Sequence, residues 1–241
     1  MLLHSGRPKK KHKPSTGHTK GSDMRSAALC IAFLTAAGMA SHAMARGQDM
    51  NADKALVLKN FWQQVYPNGG KSLHCDTPFT SGNIEGLSIS HLYGEKQLKT
   101  ALGCMTDTQC AVKTPRYVYM VADMHNLYPV NTRVEQGRRN ASFGSLADNL
   151  RQPDDLGCNT RTTFRIIEPN DLAKGNVARA YLYMYLEYGL PLSGQLDLLR
   201  QWNEQDPPDA EEKARNDLIE KAQGNRNRFI DNPELAASLS E

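Results

Sequence analysis

Several common catalytic signatures are missing from this chain of 241 residues. It has no Gly-x-x-x-x-Gly-Lys-Ser/Thr phosphate loop, no Gly-x-Ser-x-Gly and no His-Glu-x-x-His, which removes P-loop nucleotide, esterase and zinc-protease readings. Cysteine is sparse, five in all, and no two form a Cys-x-x-Cys pair. Long apolar runs are lacking too. The run from Ala27 to Ala40 is too short to span a bilayer as a stable anchor.

What is present begins with that run. Residues 1–23 are basic and polar, Met24-Arg25 opens the apolar stretch, and Ala43-Met-Ala45 closes it with small residues at the two positions a signal peptidase reads. Residues 1–45 are therefore expected to be an N-terminal extension and signal peptide, with Met24 as an alternative start. A basic arm for nucleic acid is the competing reading. Removing them leaves 22 Lys+Arg against 25 Asp+Glu, so the formal net charge moves from +3 to −3. Overall basicity then says nothing about nucleic acid, and any phosphate-binding surface has to be a local patch. Arg133, Arg138 and Arg139 form one candidate group, Lys174 and Arg179 another, Arg226 and Arg228 a third.

Export also sets the redox context, because disulfides persist outside the cytosol. Cys30 leaves with the leader, and Cys75, Cys104, Cys110 and Cys158 remain as an even set. Three pairings are possible. The close spacing of Cys104 and Cys110 favours a small loop, which leaves Cys75 with Cys158 as a long-range staple; a four-cysteine metal site is the rival.

Residues 46–241 have a length that suits one domain. Apolar residues Leu56, Leu58, Phe61, Trp62 and Val65 predict a helix over 53–66, stopped by Pro67-Asn-Gly-Gly70. Residues 87–93 alternate as a half-buried strand, Tyr117–Val121 reads as a second strand, and Phe164–Ile167 as a short third. Residues 141–160, rich in Asn, Asp, Gly and Pro, read as a surface loop. The rest is helical: Asp171–Tyr188, with a Tyr and Met stripe read as core; a helix capped by Ser193; and one from Asp206 to about Ala222. Strands early and helices late argue for an α+β fold.

Three histidines outlast the leader, His74, His91 and His125. His74 has no motif around it and is expected on the surface. His91 ends the strand 87–93, and His125 lies in the turn Asp123-Met-His-Asn-Leu-Tyr-Pro129. A neutral histidine is a ready general base near neutral pH.

Four segments resemble, in order, the motifs of the bacterial endonuclease I family, exported nucleases of the ββα-metal (His-Me finger) type. They are Asp123–Pro129, Val134-Glu-Gln-Gly-Arg-Arg-Asn140, Lys174-Gly-Asn-Val-Ala-Arg179 with Tyr183-Met184, and Gln223-Gly-Asn-Arg-Asn227. The resemblance implies a ββα-metal core with C-terminal helices and makes His91 the general base. It also implies Arg138 as a catalytic, phosphate-facing residue, and Lys113 or Arg116, with Lys174 and Arg179, as further phosphate contacts. His125, Asn126 and Asn140 would shape the site. Where the family carries a metal-binding Glu before the base and an Asn on the facing helix, this chain has Ser90 and Glu135. The two are read as a compensated metal-ligand pair, since one carboxylate is kept but moved across the site. The implied cofactor is Mg2+, with Mn2+ or Ca2+ as alternatives. The implied function is a monomeric, periplasmic or secreted endonuclease acting on DNA, with RNA as a further candidate substrate, with little sequence preference and no membrane anchor after cleavage. A catalytically impaired nucleic-acid-binding member of the same fold is one alternative, and a secreted disulfide-stabilised binding module is another.

Overall fold

A computed structural model describes residues 47–150 and 156–240. The expected signal peptide, with Cys30, lies outside the described residues. Among those described, no helix is long and apolar enough to cross a membrane.

The chain opens with helix α1, Lys54–Val65, whose Asp53 side chain caps it by accepting from the Leu56 amide. Its buried stripe is Val57, Phe61 and Val65, and the expected core residue Leu56 is 54% exposed instead. Two short paired strands follow, β1 (Gly70–Lys71) and β2 (Pro78–Phe79). Then come strand β3 (Leu87–His91) and helices α2 (Glu95–Leu102), α3 (Asp107–Lys113) and α4 (Tyr117–Met120).

The segment expected as the second strand is thus a helical turn. Its five residues are apolar without alternation, a pattern that does not separate a short strand from a buried helical turn, and the Tyr117 hydroxyl fastens it to Asp107 at 2.6 Å. The true second strand is β4, Leu127–Asn131, reached through a 3-10 turn at Met124–Asn126. It pairs antiparallel with β3, placing Ile89 opposite Pro129, Ser90 opposite Tyr128 and His91 opposite Leu127. Pro129 has no amide to give, so it suits a strand with only one ladder; its carbonyl accepts from the Leu73 amide at 2.8 Å. Helix α5, Thr132–Arg138, follows at once, capped by the Asn131 side chain. β3, β4 and α5 make a ββα unit.

Strands β5 (Ser142–Phe143), β6 (Arg161–Thr162) and β7 (Ile166–Glu168) form a small sheet in the order β5-β7-β6. The loop expected over 141–160 therefore contributes a strand, and Phe164 sits in a turn before β7, 86% exposed. Helices α6 (Lys174–Tyr188), α7 (Leu196–Gln205), α8 (Ala210–Gln223) and α9 (Arg228–Asp231) follow, then a 3-10 turn at Pro233–Ser238. Ser193 does not cap α7. Its φ is +56° and Gln195 holds the cap position.

Helix α6 is buried on every side, and its Tyr and Met residues are core, as expected. It packs on α7 through an approach so close that a Cβ on Gly175 would stand 1.8 Å from the Asp206 carbonyl oxygen. On the other side of the ββα unit, Phe61 and Val65 of α1 meet Ile219 of α8, Met124 and Leu127. Complete burial of a ring such as Phe61 is worth roughly 2–3 kcal/mol, so the β3–β4 ribbon is anchored from both faces.

The cysteines pair as Cys75–Cys158 and Cys104–Cys110, which rules out the four-cysteine metal site. His74, beside the long staple, is fully buried rather than on the surface. Its ring packs 5.6 Å from Phe143, and its backbone lies next to the Leu73–Pro129 bond, so the segment is drawn under the sheet.

Candidate active site

The alternation of β3 buries Ser90 and leaves His91 at the edge of a cleft of about 230 Å3. His91, Glu95, Lys96, Glu135, Arg139 and Asn140 line it.

The imidazole of His91 is 10% exposed. Its Nε2 lies 2.8 Å from the Val121 carbonyl oxygen at the end of α4. A carbonyl only accepts, so Nε2 carries the hydrogen and Nδ1 keeps the lone pair. Nδ1 stands 3.6 Å from Glu95 Oε1. Burial holds the imidazole below the ordinary histidine pKa, while the Val121 bond and the Glu95 charge pull upward against it. The segment misread as a strand is therefore what fixes the tautomer of the histidine.

Glu95 is the first residue of α2, after Gly94, whose amide donates to the Gln97 side chain at 3.0 Å. The Lys54 ammonium from α1 holds both Glu95 oxygens, at 3.0 and 3.1 Å. Opposite, Glu135 projects from α5 and accepts at Oε2 from the Ser90 hydroxyl at 2.8 Å. The same hydroxyl accepts from Arg138 Nη1 at 2.8 Å. With its hydrogen and a lone pair committed and the residue 1% exposed, Ser90, expected as a metal ligand, faces Glu135 and Arg138 and does not line the cleft. It positions Glu135.

Arg138 is also corrected. The guanidinium is buried over the Phe143 ring and donates to the carbonyls of His91, Leu92 and Ala141 as well as to Ser90. Four of its five N–H groups are spent on protein, which makes it a clamp on the end of β3 and leaves no open fork for phosphate.

The other expected phosphate contacts do not line this cleft. Arg179 is 1% exposed and makes a two-pronged ion pair with buried Glu212. Lys174 is paired with Asp171 at 2.7 Å and faces Glu168 at 3.8 Å. Lys113 donates to the Gly103 carbonyl, and Arg116 lies over the Tyr188 ring. The exposed basic side chains at the cleft are Lys96 and Arg139, beside the buried Arg138.

Asn126 and His125 are buried behind the cleft. Asn126 holds Tyr93 by both amide and carbonyl, at 2.7 and 3.0 Å, and its own carbonyl extends the β3 ladder to Leu92. His125 Nε2 meets the Asn225 carbonyl at 3.1 Å and its ring packs on Tyr183; burial lowers its pKa to about 4. Beside them the Asp123 carboxylate receives four donors, the Tyr183 and Tyr188 hydroxyls, the Gln223 amide and the His125 backbone N–H. Asn140 stands exposed on the cleft wall.

Sequence reading missed Glu95 and Lys54. The available signal was an acid four residues after His91 at the start of an amphipathic helix, but it acquires meaning only once strand and helix are known to meet at Gly94.

Among the described residues no group of three or more His, Cys, Asp and Glu side chains is placed to hold a metal ion. The cleft nonetheless offers hard oxygen donors, the Glu135 carboxylate and the Asn140 amide, and Mg2+ needs only one or two carboxylates, with water and phosphate filling its other positions. Ser90 engages only Oε2 of Glu135. The donor set fits a hard divalent cation.

In sequence the chain is similar to curated nucleases. An extracellular deoxyribonuclease of Aeromonas hydrophila is 39% identical over 124 residues, 49% of this chain and 53% of that protein. An extracellular ribonuclease of Bacillus amyloliquefaciens is 35% identical over 136 residues, 48% of this chain and 46% of its own length. Endonuclease-1 of Buchnera aphidicola subsp. Acyrthosiphon pisum is 31% identical over 118 residues, covering 48% and 46%. The chain spans about half the length of the curated relatives it matches. The Endonuclease I family model matches residues 91–234, from the cleft histidine to past α9. On that match and on the ββα unit that carries His91 and Glu135, the chain belongs to the endonuclease I family.

Proposed function

We propose that this protein is an exported, Mg2+-dependent endonuclease that hydrolyses phosphodiester bonds of DNA, and of RNA as well, with little sequence preference. One observation carries the reading: the Val121 carbonyl takes the hydrogen of His91 Nε2, so the lone pair of Nδ1 is available in a cleft walled by Glu135. His91 removes a proton from the attacking water. Glu95, 3.6 Å away, then faces the N–H that forms at Nδ1 and stabilises the imidazolium, while Lys54 keeps that carboxylate in place. Glu135, with Asn140 on the same cleft, would hold the cation, which when bound would neutralise charge on the phosphate. Ser90 and Arg138 hold Glu135 and the end of β3 in register. Lys96 and Arg139 at the rim attract the sugar-phosphate backbone without reading bases.

The names of the relatives, deoxyribonucleases and ribonucleases from outside the cell or the periplasm, support both the substrate class and the location. The test is incubation of the oxidised protein with supercoiled plasmid and Mg2+. Nicking that disappears in EDTA and in His91→Ala is the expected result. Nicking that survives His91→Ala would remove His91 as the base. DNA affinity that falls with salt but comes with no nicking would support the impaired, binding-only member. Absence of any such affinity would favour a secreted binding module.

A further inference from the structure

Phe164 is the most exposed aromatic residue of the described chain, 86% accessible, and it stands on a turn that is not loose. The Thr163 hydroxyl accepts from the amides of Arg165 and Ile166, at 3.3 and 3.0 Å, and the Thr163 amide donates to the Ile166 carbonyl at 2.8 Å. The Arg165 guanidinium lies over the Phe164 ring, 4.9 Å from its centroid. An apolar ring held out into water by a well-bonded turn is exposed at a cost, and a flat partner would remove it.

The turn is also joined to the cleft. The Arg165 carbonyl accepts from the Ser142 amide at 2.9 Å, and Ser142 lies two residues beyond Asn140 of the cleft wall. At about 3.3 Å per extended residue, that puts Phe164 within roughly 15 Å of Asn140, a few nucleotides along a strand bound in the cleft. The cation that suits such a strand is Arg165, on the turn itself; Arg161 nearby faces Glu168 at 3.9 Å. Arg139, exposed, stands beside Asn140 on the cleft wall.

We propose that Phe164 is a stacking platform for an unpaired base of the strand being cut, with Arg165 on the adjoining phosphate. This rests on the nuclease reading above and adds a preference to it. Every base has a face that an aromatic ring can cover, so stacking is indifferent to sequence; in a duplex those faces are already occupied. The site therefore favours single-stranded or frayed nucleic acid.

Binding of a fluorescent single-stranded DNA dodecamer, and of the same sequence as a blunt duplex, measured by anisotropy in EDTA, tests this. Phe164→Ala should weaken single-strand binding roughly tenfold, within the range found for one stacked base, and affect the duplex much less. Phe164→Trp should keep the affinity and Phe164→Leu should not. Arg165→Ala should lower the salt dependence by about one contact, whereas Phe164→Ala leaves that slope unchanged. Equal loss on both probes, full affinity in Phe164→Ala, or rescue by Leu would overturn the stacking role while leaving the nuclease reading intact. A parent protein with no salt-dependent affinity for either probe would overturn both.

Discussion

The Ser90 hydroxyl donates to Glu135 Oε2 at 2.8 Å while accepting from Arg138 Nη1 at the same distance, so β3 and α5 share one polar chain beneath the cleft. The two positions that depart from the family pattern are in direct contact, and a change at one is felt at the other. If Glu135 holds the cation, Glu135→Gln abolishes Mg2+-dependent nicking. Ser90→Ala, which removes the bond from Arg138 together with the bond to Glu135, the latter worth about 1 kcal/mol, reduces nicking by roughly fivefold. Ser90→Glu combined with Glu135→Asn retains activity, because the carboxylate returns to the strand side next to Arg138. Nicking by Glu135→Gln at the parent rate would remove Glu135 as a ligand.

Arg138 acts on the fold before it acts on substrate. Truncation to Ala leaves three carbonyls and the Ser90 hydroxyl without their donor in a buried place. The expected cost is about 3 kcal/mol, or a fall of roughly 10 °C in melting temperature for a domain of this size. Arg138→Lys recovers little of it, since a point ammonium does not reproduce the planar fork. A variant that melts like the parent yet binds DNA less tightly would restore the phosphate role expected from the motif.

His125 makes stability depend on pH. Buried, it titrates at about 4 rather than near 6.5, so above 6.5 the imidazole is neutral in both folded and unfolded chains and contributes nothing. Between 6.5 and 4 the unfolded chain takes up the proton and the folded one does not, so stability drops as the medium is acidified, by up to about 3 kcal/mol for this residue. Denaturant melts at pH 7 and pH 4.5 should show the loss, and His125→Gln should remove this part of it. An unchanged pH dependence in that variant would mean that other groups are responsible.

The two disulfides should not be equivalent. Cys75–Cys158 closes 83 residues and Cys104–Cys110 only six, so in a chain-entropy estimate the first is worth about 4.5 kcal/mol and the second about 2. Paired Cys→Ser replacement at 75 and 158 is expected to lower the melting temperature more than replacement at 104 and 110. The reverse order, or no effect of dithiothreitol on either, would contradict the staple reading.

Much of this was legible in the residues. The β3 strand, α1, the buried α6 and both disulfide pairings followed from alternation, helical spacing and cysteine arithmetic. What misled was local pattern without tertiary context. Tyr117–Val121 is as apolar as a strand, and only its packing makes it helical. His74 carries no motif, yet the staple at Cys75 draws it inside. The arginines failed in one consistent way: a motif records that a guanidinium is needed but not whether carbonyls, a carboxylate or a phosphate receives it. Arg138 and Arg179 both turned out to serve the protein. Glu95 was invisible because its partners, His91 and Lys54, meet it only across three different elements.

The fastening of the Asp123–Leu127 turn has a consequence in time. Gln223 reaches both the Asp123 carboxylate and the Met124 amide, Arg215 holds the carbonyls of Met124 and Leu127, and Asn225 receives His125. These clasps come from α8 and the residues just after it, roughly a hundred residues downstream of what they hold. A chain emerging in order has both strands and the histidine in hand long before the parts that lock them arrive, and its long disulfide waits for an oxidising compartment as well. Unfinished or unexported molecules would therefore lack a rigid cleft. On the proposed reading of an exported nuclease, late closure delays assembly of the site until the molecule has left the genome behind.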